Sequence, residues 1–295
     1  MNDLTENKIK TSDLLRCMPY WLVYLGALLP FWVGWSKEAL IVCFLSYMAR
    51  MFAITGFYHR YFSHKTFKTS RITQFLFALL GASAGQRGPL WWAAHHRRHH
   101  KTADKPSDPH SPVQHTFLWS HLLWFVSYKN FPTIKKNVPD LSRYPELRFL
   151  DRYDLLVPVI YGAALFIAGT FFQNPHGNSM HNGILFLVWG FFVSTFFLHQ
   201  STFLVNSLAH LYGKKAFKTK DNSRNNLFVA LLTLGEGWHN NHHFYPSSSR
   251  QGFLWWQVDI TYYLLLLMEK MGLIWQLSPV PVRIKQQARG QRRRR

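Results

Sequence analysis

Apolar residues in this chain come in long blocks rather than short alternations. Met18 to Trp35 is apolar throughout apart from Gly, Pro and aromatic residues, and Ala39 to Tyr58 follows the polar turn Ser36-Lys37-Glu38. Leu155 to Phe172 and Ile184 to Val205 form a second pair. About 20 apolar residues cross the hydrocarbon core as a helix. The pattern therefore predicts four spans, about 18–35, 39–58, 155–172 and 184–205. Ile72 to Ala94 is also apolar, but Gly81-Ala-Ser-Ala-Gly85-Gln86-Arg87-Gly88-Pro89 interrupts it. A single crossing there would put His64 and His96 on opposite faces of the bilayer. We read about 72–94 as re-entrant or interfacial, since broken backbone survives at membrane depth when it is buried in protein or lines a cavity. Trp255 to Trp275 is amphipathic and aromatic, and is expected on the membrane surface. The expected fold class is an all-α integral membrane protein with four transmembrane helices and a cytoplasmic helical cap. Residues 1–17 form an N-terminal tail, 18–275 one domain, and 276–295 a basic C-terminal tail.

Charge orients this arrangement. The 295 residues carry a formal net charge of +20. The mean hydropathy of -0.11 is an average over apolar blocks and very basic connections. The stretch from Gln173 to Gly183 holds no Lys or Arg, whereas 101–152 and the tails are basic. Excess Lys and Arg mark cytoplasmic loops, so both termini are expected in the cytoplasm, in a bacterial inner membrane. Arg50, inside the second apolar block, is expected near the cytoplasmic headgroups. Nucleic acid is excluded as a partner, because no recognised motif accompanies the charge. Cys17 and Cys43 cannot build a disulfide framework or a Cys-rich metal site. No cleavable signal peptide is expected, because the first 16 residues are polar and the apolar run after them is long.

The remaining signal is histidine. His59-Arg-Tyr-Phe-Ser-His64, His96-Arg-Arg-His-His100 and His239-Asn-Asn-His-His243 are three clusters in one chain. Residues three and four apart share a helix face, so His96, His99 and His100 are expected to point the same way. Neutral imidazole is the commonest metal ligand. The clusters hold eight histidines, and a structural zinc takes only four ligands. At least two ions are implied.

Three such boxes among four spans resemble the membrane fatty-acyl desaturases, close to the acyl-CoA and acyl-lipid Δ9 group that includes the stearoyl-CoA desaturases. Gly235-Glu-Gly-Trp-His239 and Trp255-Trp-Gln-Val-Asp-Ile-Thr261 are similar to its bacterial, cyanobacterial and plant members. Asn206-Ser-Leu-Ala-His210 matches a further family motif, and the likeness covers roughly residues 20–275. It implies a di-iron centre held by His59, His64, His96, His99, His100, His210, His239, His242 and His243, with Asn206 reaching a metal through water. Gln86, Trp92 and Thr202 would grip the acyl chain at its bend, and Lys129 would meet coenzyme A. Apolar residues of the second and fourth spans would wall a tunnel, with Tyr47 as its end plug. The implied reaction uses O2 and two electrons to insert a cis double bond, at Δ9, into a long-chain acyl substrate. No haem module or Cys cluster is present, so the donor is expected to be a separate ferredoxin, rubredoxin or b-type cytochrome.

One departure leaves the acyl carrier open. Animal acyl-CoA enzymes carry an Arg-Asp pair where this chain has Ala94 and His95, and Tyr128 replaces a basic neighbour of Lys129. Coenzyme A, carrier protein and intact lipid all stay possible. His95 is expected not to ligate, and His176 and His181 are expected on the outer loop. Two rival readings are a membrane di-iron hydroxylase of acyl chains or alkanes and a non-enzymatic membrane metal-binding protein. The second would place ionisable residues within the spans, where only Arg50 and His199 occur.

Overall fold

The computed structural model describes residues 9–172 and 178–293, with side chains through residue 290. His176 lies outside the described residues. Almost everything described is helical. The exception is one antiparallel pair, β1 (Lys68–Thr69) with β2 (Ile274–Trp275).

The chain opens with α1 (Thr11–Arg16), α2 (Met18–Gly26) and α3 (Pro30–Val33). The proline at the first position of α3 supplies no N–H to continue α2, so the first apolar block breaks there. Next comes α4 (Lys37–Phe52), whose Ser36 cap accepts the Ala39 N–H at 3.1 Å. At Ala53 the winding loosens, and Ala53–Ser63 continues the same helix as a π-helix. The whole rod, Lys37–Ser63, has 27 residues. At 1.5 Å per residue that is roughly 40 Å, longer than the ~30 Å hydrocarbon core, so its last turns can leave the apolar layer. The 12-residue α5 (Arg71–Ala82) is about 18 Å long and cannot cross. A loop then leads to α6 (Pro89–Thr102), which carries the second histidine box.

Short helices α7 (Pro139–Ser142) and α8 (Pro145–Arg152) precede α9 (Leu156–Phe171). The next long rod is α10 (Ser179–Leu187), a π turn at Val188–Val193, α11 (Ser194–Asn206) and α12 (Leu208–Leu211). Then follow α13 (Leu227–Leu232), α14 (His239–Phe244), α15 (Ile260–Lys270) and α16 (Val282–Arg293).

Among the described residues, only Lys37–Ser63 and Ser179–Leu211 are long and apolar enough to cross a membrane. A third is added if α8 and α9, bent by 74°, count as one span. Of the four spans read from hydropathy, two or three are thus supported by helix length and composition. Met18–Val33 is a shorter apolar helix, ended by Gly34 at φ +74°. Leu25, Phe31, Trp32, Phe44, Val159 and Phe171 are each more than 60% exposed on these apolar helices. Such a belt is covered by lipid, not by water, and the chain is a membrane protein.

Arg50 also departs from expectation. It does not reach headgroups but is 2% exposed inside the bundle. Its guanidinium donates to the carbonyls of Ser46 at 3.2 Å, Ser83 at 3.2 Å and Gly190 at 3.4 Å, and to Thr195 Oγ1 at 2.7 Å and Ser194 Oγ. It also lies 4.9 Å over the Tyr161 ring. The π turn and the broken α5–α6 connection expose carbonyls that only a donor can satisfy, which makes an interior Arg tolerable. The main core packs around the π segment, where Ile54, Phe57, Tyr58 and Phe62 meet Phe77, Ala78, Leu90 and Ala94.

Candidate metal centre

The three boxes converge. Nδ1 or Nε2 atoms of His59, His64, His96, His100 and His242 all lie within 4.8 Å of one another, and so do those of His99, His210, His239 and His243. All nine histidines singled out from the sequence fall into these two groups, and none is shared. Within the first, Nε2 of His64 is 2.8 Å from Nε2 of His96, and His242 Nε2 is 3.0 Å from those of His59 and His100. In the second, Nε2 of His210 and His239 are 3.0 Å apart.

Local winding explains how each box contributes. In an α-helix His59 and His64, five apart, would diverge. In the π segment the His64 N–H instead meets the His59 carbonyl at 3.2 Å, so five-apart residues stack. Boxes two and three do not present one face, contrary to the one-face expectation. Adjacent residues on an α-helix are about 100° apart, and His99 and His100 face different groups. Each box sends its four-apart pair to one group and its odd histidine to the other. His96 and His100 join the first group with His242; His239 and His243 join the second with His99.

The residues between the histidines hold the boxes in place. Arg60, 1% exposed, donates to Glu236 at 3.1 Å, Asp259 at 2.9 Å and the Ser249 carbonyl at 2.7 Å. Arg97 closes the C-terminus of the π segment through the Phe62 and Ser63 carbonyls at 2.7 and 3.0 Å, and pairs with Asp140. Asn225 accepts the N–H groups of Asn240 and Asn241 at 3.0 and 3.1 Å, capping the short helix of the third box. Gly235 has φ +127°, and a Cβ there would lie 2.6 Å from Asp259, so the turn that delivers Glu236 requires glycine.

Behind the imidazoles stand carboxylates the sequence reading did not name. His59 Nδ1 meets Glu236 at 2.5 Å, His99 meets Asp108 at 3.1 Å, His210 meets Asp104 at 3.0 Å and His243 meets Asp221 at 2.9 Å. A carboxylate on Nδ1 fixes the tautomer and leaves the Nε2 lone pair for a metal. Burial alone raises the Asp104 carboxyl, but its hydrogen bonds with His210, Ser111 and the Asn222 N–H bring it down to about 2. Burial, then neighbouring imidazoles, hold His96 and His242 well below the usual range, in the neutral form that ligates. His243 Nε2 is buried with no hydrogen-bond partner. An all-imidazole donor set with an orphaned Nε2 fits iron. A sequence signal for these acids existed: the chain has only 14 Asp and Glu, and Asp104, Asp108 and Glu236 sit within a few residues of a box.

His110, which with His99 and Asp108 forms a third close group, stacks on His99 at 4.3 Å. Because His99 Nδ1 is already committed to Asp108, we read this group as support for the second. His95 is buried, with Nε2 3.1 Å from the Pro132 carbonyl, outside both groups. His181 is exposed.

A cavity of about 680 Å³ runs between the apolar helices to the imidazoles, lined by His59, His96, His99 and His239 at that end. Asn206 and Glu236 also line it. Its apolar wall comes from all parts of the bundle: Leu22 and Leu25 of α2, Met51 and Ile54 of the long rod, Pro158 of α9 and Phe191 of the π turn. The wall is thus wider than the two spans expected. Gln86, Trp92 and Thr202 line it too and are linked: Gln86 Nε2 donates to Thr202 Oγ1, and Trp92 Nε1 donates to Gln86 Oε1, both at 3.1 Å. Lys129 is exposed and does not line the cavity. Nor does Tyr47, whose hydroxyl bonds Ser201 at 3.0 Å and the Leu232 carbonyl at 2.7 Å.

The geometry defines a membrane protein with paired imidazole sites at the end of an apolar cavity. A family model for fatty acid desaturase matches residues 35–275. The chain is 38% identical over 254 residues to the sn-2 palmitoyl-lipid 9-desaturase of Nostoc sp. (strain 36), covering 84% of each chain. It is 38% identical over 247 residues to an acyl-CoA 5-desaturase of Anemone leveillei, covering 83% of this chain and 72% of that one. It is 36% identical over 274 residues to Delta-9 acyl-lipid desaturase 1 of Arabidopsis thaliana, covering 91% and 84%. The chain belongs to the fatty acid desaturase family.

Proposed function

We propose that this protein inserts a cis double bond at Δ9 of a saturated acyl chain, by the balance –CH2–CH2– + O2 + 2e⁻ + 2H⁺ → –CH=CH– + 2H2O. The observation that carries this is the apolar cavity ending at two imidazole groups, with the linked Gln86, Trp92 and Thr202 in its wall. His59, His64, His96, His100 and His242 would hold one iron and His99, His210, His239 and His243 the other, and Asn206, which lines the cavity beside them, would be a water-mediated partner of one. Bound iron supplies, with O2 and electrons, the oxidant needed for unactivated methylenes. The chain's own residues do the rest. The apolar wall takes the acyl tail out of water, and Gln86, Trp92 and Thr202 fix its bend, because a misplacement near 1 Å can cost about a hundredfold in rate.

The carrier we favour is an intact membrane lipid. Ala94 and His95 are buried, so neither can meet a headgroup, and Lys129 is outside the wall. The two guanidiniums in the wall, Arg16 and Arg87, already pair with Asp13 and Asp154. Electrons come from a separate small donor, a ferredoxin, rubredoxin or b-type cytochrome. The four apolar blocks of the sequence are the basis for proposing four passes, and the charge asymmetry for placing both termini and the site on the cytoplasmic side of a bacterial inner membrane. The test is the fatty-acid profile of a desaturase-deficient host expressing the chain, with double-bond localisation. A new cis-monoene esterified in membrane lipid is expected. A hydroxylated product, heavier by one oxygen, would replace desaturation with the hydroxylase reaction.

A further inference from the structure

The loop between α5 and α6 is strained, and although its Ala84 and Gly85 N–H groups find backbone carbonyls, several of its own carbonyls are satisfied by side chains. Gly85 has φ +67° and Arg87, not a glycine, φ +70°, an uncommon conformation that surroundings must impose. Carbonyls freed at such depth need donors. Three of them find side chains from other elements: the Ser83 carbonyl accepts Arg50 Nη1 at 3.2 Å, the Ala84 carbonyl accepts His199 Nε2–H at 3.0 Å, and the Arg87 carbonyl accepts the Tyr58 hydroxyl at 3.4 Å. Arg50 and His199 are fully enclosed, at 2% and 1% exposure. They stand on the two long rods, so the loop is clamped between both. His199 is further held by a stacked Tyr20 ring at 5.7 Å. Between the clamps hangs Gln86, whose two 3.1 Å bonds to Thr202 and Trp92 would both break on a 1 Å shift.

We infer that Arg50 and His199 are positioning residues that set which carbons of the acyl chain face the imidazole groups, by clamping the Gln86 loop. This rests on the desaturase reading for its consequence, though not for the clamp. The experiment compares His199→Leu and Arg50→Met with the donor-keeping His199→Gln and Arg50→Lys, all in lipid nanodiscs. Amide exchange over residues 81–88, iron per chain and double-bond position are measured together.

Expected for the Leu and Met variants are about tenfold faster exchange in the loop, the loss of one buried hydrogen bond, with iron per chain unchanged and double bonds spread to neighbouring carbons. The Gln and Lys variants should recover the wild-type position. Exchange unchanged in His199→Leu, or faster exchange with the double bond still at the wild-type carbon, overturns the inference. Should Arg50→Met fail to fold, His199→Leu decides alone. If wild type yields no monoene while the loop still loosens in the variants, the clamp stands and the desaturase reading falls.

Discussion

The two imidazole groups are built differently. In the four-histidine group, His99, His210 and His243 each lean on a buried or half-buried aspartate. In the five-histidine group, only His59 meets a carboxylate among the described residues. There the positions come instead from the π winding of Ala53–Ser63 and from Trp92 stacked on His96 at 5.0 Å. One group is oriented electrostatically, the other mainly by backbone and packing. Metal affinity in the first should therefore respond to charge, and in the second to geometry.

The largest expected effect breaks either group at its ligands. His242→Ala or His99→Ala should abolish desaturation, exceeding the roughly 10–100-fold cost of losing an outer partner, while membrane insertion persists. Retained turnover in either would remove that residue from the ligand set. Next, Asp104→Asn and Asp221→Asn should lower iron affinity about 10–100-fold at one of two sites. Titration of iron per chain should then show one tight and one weakened site, and two equally weakened sites would erase the contrast. Asp259→Ala tests the packing side. It leaves Glu236 as the one carboxylate on the buried Arg60 among the described residues, and removes the acceptor of the Gln251 and Tyr262 N–H groups, so it should cost about 3 kcal/mol of stability, read as a lowered unfolding temperature. The smallest effect is expected from His181→Ala, exposed and remote from both groups, within about 0.5 kcal/mol and with wild-type turnover.

Much of the site was legible because its chemistry is concentrated in few residue types. Eight histidines in three tight boxes can be counted without a fold, and His210 followed from a family motif. The buried acids were harder. Asp104 lies 106 residues before the His210 it supports, and nothing in spacing announces such a pair. The one-face expectation for His96, His99 and His100 failed for a related reason. Periodicity assigns directions from the helix axis, but not how many targets lie in those directions. Hydropathy gave four apolar blocks, but helix length and composition support two or three spans, because hydropathy does not register that the first block forms a helix only over Met18–Val33.

The sequence alone determined that the chain would form long apolar helices and that its histidines would come in clusters able to hold metal. These depend on composition and short-range order. Tertiary structure decided which histidine serves which group, that Arg50 turns inward to carbonyls rather than out to headgroups, and that Gln86, Trp92 and Thr202 form one linked set. Each of those depends on atoms brought together from distant positions, where a hydrogen bond tolerates only a few tenths of an ångström and one-dimensional pattern carries no such distance.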